Sequence, residues 1–266
     1  MPVSWAITNR PAGDVTGALN ENSGITDAFG RDSVNLTIGS VPGLYRVSAS
    51  AGGLSVFYDI TASRDTLAGI IAIAPVQTIS DTVGMFAADT LVVRLTDSFG
   101  NALTGETAAF ATRPGDGSIV LVDPVSDANG LQRAVWQLGE VAGSADIALA
   151  YLPGLSDTVY FAARPVTDAV DSIAFVAIRG SATNRATVIG GNPTTVQGRL
   201  LDQFGNPVSN ATVSFSSIFG GETISAAPII SDLSGLFSKT IIFSTADSSV
   251  VRAKSFDDSL DFVAYK

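Results

Sequence analysis

Any chemistry in this chain has to be done with carboxylates and hydroxyls, because the sequence holds neither histidine nor cysteine. A Ser-His-Asp triad, a Cys-His pair and a zinc site of thiolate or imidazole ligands are excluded by that alone. The acidic groups that crowd closest in sequence are Asp257, Asp258 and Asp261, with Glu222 upstream. A glycosidase needs two opposed carboxyls across a cleft, and these four read instead as residues that keep strand turns solvated. No glycine loop of the phosphate-cradling kind leads into a lysine. No catalytic residue and no small-molecule substrate is expected. Calcium is the ion that hard oxygen ligands would suit. Its weak candidates are Asp65, Asp168 and Asp171, which flank the joints between repeats described below. Their spacing matches no EF-hand loop, so no cofactor is assigned.

The elements that carry these residues follow from composition. The chain has 266 residues, 46% hydrophobic and only 15% charged, with 26 Gly and 11 Pro. That is enough apolar material for two or three cores, in a background of turn and strand formers. The formal net charge of −10 opposes binding to phosphate backbones, and no polybasic cluster offers a grip on an anionic membrane. The longest apolar run, Leu67 to Val76, is far short of the ~20 residues of a spanning helix. The residues after Met1 do not read as a signal peptide.

The sequence repeats. Asp97-Ser-Phe-Gly-Asn101 returns as Asp202-Gln-Phe-Gly-Asn206, 105 residues on. A second turn, Asp-x-x-Gly, occurs at Asp27 to Gly30, Asp127 to Gly130 and Asp232 to Gly235. In each, the Asp side chain is expected to cap the turn, and Gly100, Gly130, Gly205 and Gly235 to supply its positive-φ corner. Aromatic residues at positions 5, 110 and 215 mark a third landmark, each within an alternating apolar and polar run. Such runs read as half-buried strands, with Trp5, Phe110 and Phe215 as core residues rather than glycan platforms. Further alternating strands are expected at Ser33 to Ile38 and at Ala134 to Leu138. Last strands are expected at Ser55 to Thr61, Thr158 to Ala163 and Leu260 to Tyr265. In the third copy Lys239 falls on the inward phase, where a bulge or an edge position is expected to let it out, or a contact to use it.

Many short strands with no helical period predict an all-β chain of tandem immunoglobulin-like antiparallel sandwiches. The modules would occupy 1–65, 66–166 and 167–266. The combination of Asp-x-Phe-Gly-Asn, aromatic strand, Asp-x-x-Gly and a strand ending in Leu138-Gly139 resembles the bacterial Ig-like domain of the invasin/intimin type. The resemblance implies extracytoplasmic stalks, in the periplasm or at the cell surface. It implies stacking of modules and does not imply receptor binding, which that family confines to particular terminal domains.

Counting back from Asp97, the first Asp-x-Phe-Gly-Asn turn would fall ahead of Met1, and so would two strands of the first module. Trp5's strand is then expected to have an open edge and a half-covered core. Three explanations stand: a piece of a longer array, a shortened module completed by a partner, or strand donation between copies. The first module also carries five extra residues around Pro11 to Gly24. The expected partner-facing residues are therefore Val3, Trp5, Ile7, Asp14 and Leu19, with Lys239 in the third module. The function so read is a non-enzymatic spacer or protein-interaction subunit of a larger assembly. The alternative is an adhesin or carbohydrate-binding module.

Overall fold

In a computed structural model, which describes residues 1–179 and 181–265, the chain is built from strands and turns alone. Among the described residues there is no helix, so none is long and apolar enough to cross a membrane. The N-terminal unit contains β1 (Pro2–Asn9), β2 (Ala18–Leu19), β3 (Ser23–Ile25), β4 (Leu36–Thr37), β5 (Gly43–Ala51) and β6 (Leu54–Ala62). The central unit contains β7 (Leu67–Ala74), β8 (Leu91–Asp97), β9 (Ala109–Thr112), β10 (Ser118–Leu121), β11 (Leu131–Gln137), β12 (Asp146–Tyr151) and β13 (Thr158–Ala163). The C-terminal unit contains β14 (Ser172–Ile178), β15 (Arg185–Thr187), β16 (Pro193–Leu201), β17 (Thr212–Phe219), β18 (Ile229–Ile230), β19 (Leu236–Ile242), β20 (Ser248–Ser255) and β21 (Asp258–Tyr265).

Each of the last two units is a sandwich of two sheets. The central one packs β10-β11-β8-β7 on β13-β12-β9, and the C-terminal one packs β14-β16-β19 on β15-β21-β20-β17-β18. Alternation writes the cores directly. β8 turns Leu91, Val93 and Leu95 inward, each fully buried, to meet Trp136 of β11 and Phe161 of β13. The Trp136 indole N–H is satisfied by the Asp116 carbonyl at 2.8 Å, as a buried indole requires. The C-terminal core sets Val196 and Leu200 against Phe237, Ile241 and Phe262 in the same way.

Both sandwiches also protect the outer edge of their last strand. The stretch after β7 runs parallel to β13, with Ile79 bridging Ala163 and Thr82 bridging Val166. In the C-terminal unit β15 pairs in parallel with β21. Exposed edges invite association, and a short parallel partner removes that hazard.

The N-terminal unit has one whole sheet, β3-β1-β5-β6. Opposite it stands only the two-residue ladder of β2 and β4. Register places β2 and β4 where β10 and β11 lie in the central unit: Leu19 faces Leu36 as Ile119 faces Trp136. Nothing in residues 1–65 corresponds to β7 or β8. The strand expected over Ser33 to Ile38 shrinks to Leu36–Thr37 because the neighbour that β11 finds in β8 is missing. The open edge expected beside Trp5 is corrected: β3 pairs with β1 from Pro2 to Ser4, as β18 pairs with β17. The unpaired edge is on the other side, along β6.

Candidate functional site

The inward residues of the N-terminal sheet form an apolar face without a lid. Tyr58 on β6 occupies the position of Phe161 and of Phe262, because it follows by two residues the partner of the strand-pairing alanine in each unit. Phe161 is 3% exposed and Phe262 0%, whereas Tyr58 is 49% exposed. Val56, two residues before it, is 49% exposed as well. Trp5 on β1 is half-buried beside Tyr58, with ring centroids 6.2 Å apart and planes tilted by 31°. Its indole N–H donates to Asp32 Oδ2 at 2.8 Å, which ties the Asp27 turn region over one end of the face. The cleft between Trp5, Val34, Leu36, Val47, Tyr58 and Ile60 has a volume of about 400 Å³. The face is hydrophobic, with a single carboxylate at its rim that Trp5 already engages.

The residues expected to face a partner divide into two groups. Trp5, Ile7 and Leu19 are partly exposed, and Val3 is buried at 8% exposure against the rest of the sheet. Asp14 is the first correction. It is buried, and its carboxylate accepts hydrogen bonds from Thr16 N, Thr16 Oγ1 and Gly17 N. Burial would raise this carboxyl, but the hydrogen bonds from Tyr45, Thr16 and Gly17 outweigh it and hold the pKa below its ordinary value. Desolvation, followed by the contact with Asp14, pushes the fully buried Tyr45 phenol up. A Cβ at Gly39 would run into this carboxylate, so Asp14 is an internal post of the long loop. Lys239 is the second correction. No bulge releases it: β19 pairs with β16 without interruption, and Lys239 stays inward at 8% exposure. Its ammonium donates to the Ala227 carbonyl at 2.8 Å and lies 5.7 Å above the Phe215 ring. The cost of burying the charge is met by a hydrogen bond and a cation–π contact.

The repeated turns do more than reverse the chain. Asp97 Oδ1 accepts from the backbone N–H of Phe99 and of Asn101, both at 2.9 Å, and Gly100 closes the turn at φ 83°. Asp202 Oδ1 does the same for Phe204 and Asn206, with Gly205 at φ 82°. In the second turn family, Asp127 caps Asn129 and Leu131, and Asp232 caps Ser234 and Leu236. The capping bond from Leu131 N–H leads the groups that hold the Asp127 carboxyl below its ordinary range, and for Asp232 the leading group is the Ser234 hydroxyl. For Asp97 burial acts upward, but the side chain and backbone of Asn101, with Asp65 and Phe99, prevail.

The asparagine that ends the first turn reaches across to the preceding unit, a role that spacing within one repeat does not reveal. Asn101 Nδ2 donates to the Ser40 carbonyl at 2.8 Å while also holding Asp97 Oδ2. Asn206 Nδ2 donates to the Glu140 carbonyl at 2.8 Å and holds Asp202, and its Oδ1 accepts from Ala142 N–H at 3.0 Å. The sequences that receive them align as Ser40-Val-Pro-Gly43 and Glu140-Val-Ala-Gly143. Pro42 stands where Ala142 donates, and proline has no N–H to give. The second joint therefore has two bonds through its asparagine and the first has one. Phe204 adds a further contact. It lies so close to Gly84 that a Cβ there would collide with the ring. Phe99, its counterpart, is 63% exposed, because Gly84 belongs to the stretch between β7 and β8 that the N-terminal unit lacks.

The calcium candidates are absorbed into these joints. Asp65 N–H donates to Asp97 Oδ2, and Asp65 Oδ2 accepts from Ser98. Asp168 N–H donates to Asp202 Oδ2, and its carboxylate accepts from Gln203. Asp171 N–H donates to the Leu201 carbonyl. Among the described residues no three acidic side chains gather as a cation cage would need.

No family model and no curated protein sequence matches the chain. Solved structures do. The chain is similar over its whole length to FdeC, an Escherichia coli adhesin, at 16% identity and a TM-score of 0.57, covering 86% of that structure. It is similar over 99% of its length to invasin, a bacterial integrin-binding protein, at 17% identity and a TM-score of 0.50. There it spans about half, 52%, of the invasin chain. The fold shared with these structures is a tandem arrangement of Ig-like β-sandwiches.

Proposed function

We propose that the chain is a non-enzymatic, extracytoplasmic array of Ig-like modules, 1–65, 66–166 and 167–266, that acts as a spacer and protein-interaction subunit of a larger bacterial surface assembly. Its partner-facing surface is the unlidded sheet of the first module. The exposure of Tyr58 carries this reading, since the same position is sealed in the other two copies. An exposed apolar sheet face with aromatic anchors is the composition of an interaction site. The adhesins that share the fold support placement outside the cytoplasm.

The test is site-specific photo-crosslinking in cells that produce the protein, with a photoreactive phenylalanine at position 58 or at position 160. Tyr160 is an outward residue of the central unit and 63% exposed. Protein adducts formed from position 58 and not from position 160 are expected. Equal adducts from both, or none from 58, would reject the reading. A glycan-binding reading gains from one observation, the tilted Trp5–Tyr58 pair on an open face. Protection of Trp5 fluorescence by an oligosaccharide, without protein adducts at 58, would favour it.

A further inference from the structure

The geometry points to a defined occupant for the open face: residues 1–65 accept one segment, from outside residues 1–266, of the β7-to-β8 type, an antiparallel strand pair whose connection carries a glycine shelf and a short edge strand. The inference rests on the proposed role of this face as the partner-facing surface, and it specifies the partner's chemistry.

Three separate vacancies share one outline. The first is the inner face itself. In the central unit the matching face is covered by β7 and β8, which contribute Ile70, Leu91, Val93 and Leu95 to the core. Tyr58 and Val56 are the residues left bare without them. The second is the outer edge of β6. The equivalent edge of β13 is paired by Ile79 and Thr82, from the chain that joins β7 to β8, and the edge of β21 by β15, from the chain that joins β14 to β16. The third is Phe99. Its counterpart Phe204 rests on Gly84, which belongs to the same connection. A single segment running strand, parallel edge, glycine shelf, strand fills all three places. Two of the places lie within residues 1–65 and the third is on the central unit, next to the Asn101–Ser40 bond, so the occupant would extend an existing interface. Pairing with a free edge supplies main-chain hydrogen bonds, and alternate side chains supply selectivity. A second copy is a poorer occupant, because its own strands of this type are consumed in its sandwiches and both copies carry a net charge of −10.

The experiment adds a synthetic peptide with the sequence of residues 66–98 to the full chain. Trp136 is fully buried, so acrylamide quenching reports Trp5. Expected are saturable one-to-one binding, loss of Trp5 quenching, and slowed hydrogen exchange along β6. Phe99→Ala should weaken the affinity, with Trp5 still protected at saturation. A peptide carrying Val93→Asp should not bind. Failure to protect Trp5, or equal binding of the Val93→Asp peptide, would overturn the inference. So would Trp5 protection that tracks dimerisation of the chain alone, which would make the occupant a second copy. Adducts from position 58 in cells together with no peptide binding would sink this occupant and leave the proposed function standing. Exchange protection of β5 serves as the control that variants remain folded.

Discussion

Tyr58 and Phe161 occupy one position in two copies of one fold, and what lies across from them differs. Their own strands are alike: β6 pairs with β5 along its length, as β13 pairs with β12. The central ring is sealed because β7 and β8 cross above it, and the N-terminal ring is open because nothing does. A strand's sequence decides which face is apolar, and the opposing sheet decides whether that face becomes core. The same contrast runs through the joints. Asn206 makes two bonds to the preceding unit and has Phe204 seated beside it, while Asn101 makes one and Phe99 hangs free.

The widest gap between the two regions should appear on truncation. Phe161→Ala should cost about 3–5 kcal/mol of local stability, read from hydrogen exchange in β12 and β13. Tyr58→Ala should cost about 1 kcal/mol or less, since half of its surface already meets water. Equal losses would mean that the open face is covered in solution. Next come the joints. Asn206→Ala should remove about 1–2 kcal/mol of coupling between the central and C-terminal units, and Asn101→Ala less. Broadening of the distance distribution between two spin labels, one on each unit, measures this, and a chain without cysteine takes the labels cleanly. The contrast can also be inverted. Ala142→Pro should loosen the second joint toward the behaviour of the first. Pro42→Ala should restore the missing donor and tighten the first by about 0.5–1.5 kcal/mol. An unchanged distribution for Pro42→Ala would show that the proline is not what separates the two.

Acid should bring the smallest change. Asp127 and Asp232 have pKa values lowered from 3.8 in the folded chain. A depressed carboxylate contributes stability that is present above its unfolded value and lost as the pH falls through its folded one. The two capped turns should therefore hold at neutral pH and loosen only below pH 3.8, toward their folded values. Asp127→Asn should remove that acid dependence at Leu131 N–H, followed by amide exchange.

The strand pattern was legible because alternation has a period of two and each aromatic landmark sat in phase. The last strand of the central unit, Thr158–Ala163, was located to the residue. Three things were not. Lys239 looked misplaced because its partner, the Ala227 carbonyl, lies in a loop whose path periodicity does not describe. Asp14 looked available because a lone carboxylate in a long loop gives no sign that Tyr45 and Gly39 will close around it. The joint asparagines have the sequence signature of turn residues alone, because their second role is a contact between copies. Aligning Pro42 with Ala142 discloses one difference between the joints, the loss of an N–H donor.

The parallel pairing of Ile79 and Thr82 with Ala163 and Val166 has a mechanical consequence. The chain enters the central unit beside β7 and leaves beside β13, so tension along the array draws these two stretches in opposite directions along a shared ladder. Their hydrogen bonds bear the load together, in shear. β6 has no such companion, so the same pull reaches the N-terminal sheet with nothing to share it. Resistance to force is a matter of unfolding rate rather than equilibrium. In a single-molecule extension of the whole chain, residues 1–65 should give way first and the two sealed units later. A bound strand pair at β6 would turn the weakest link of the array into one that carries tension.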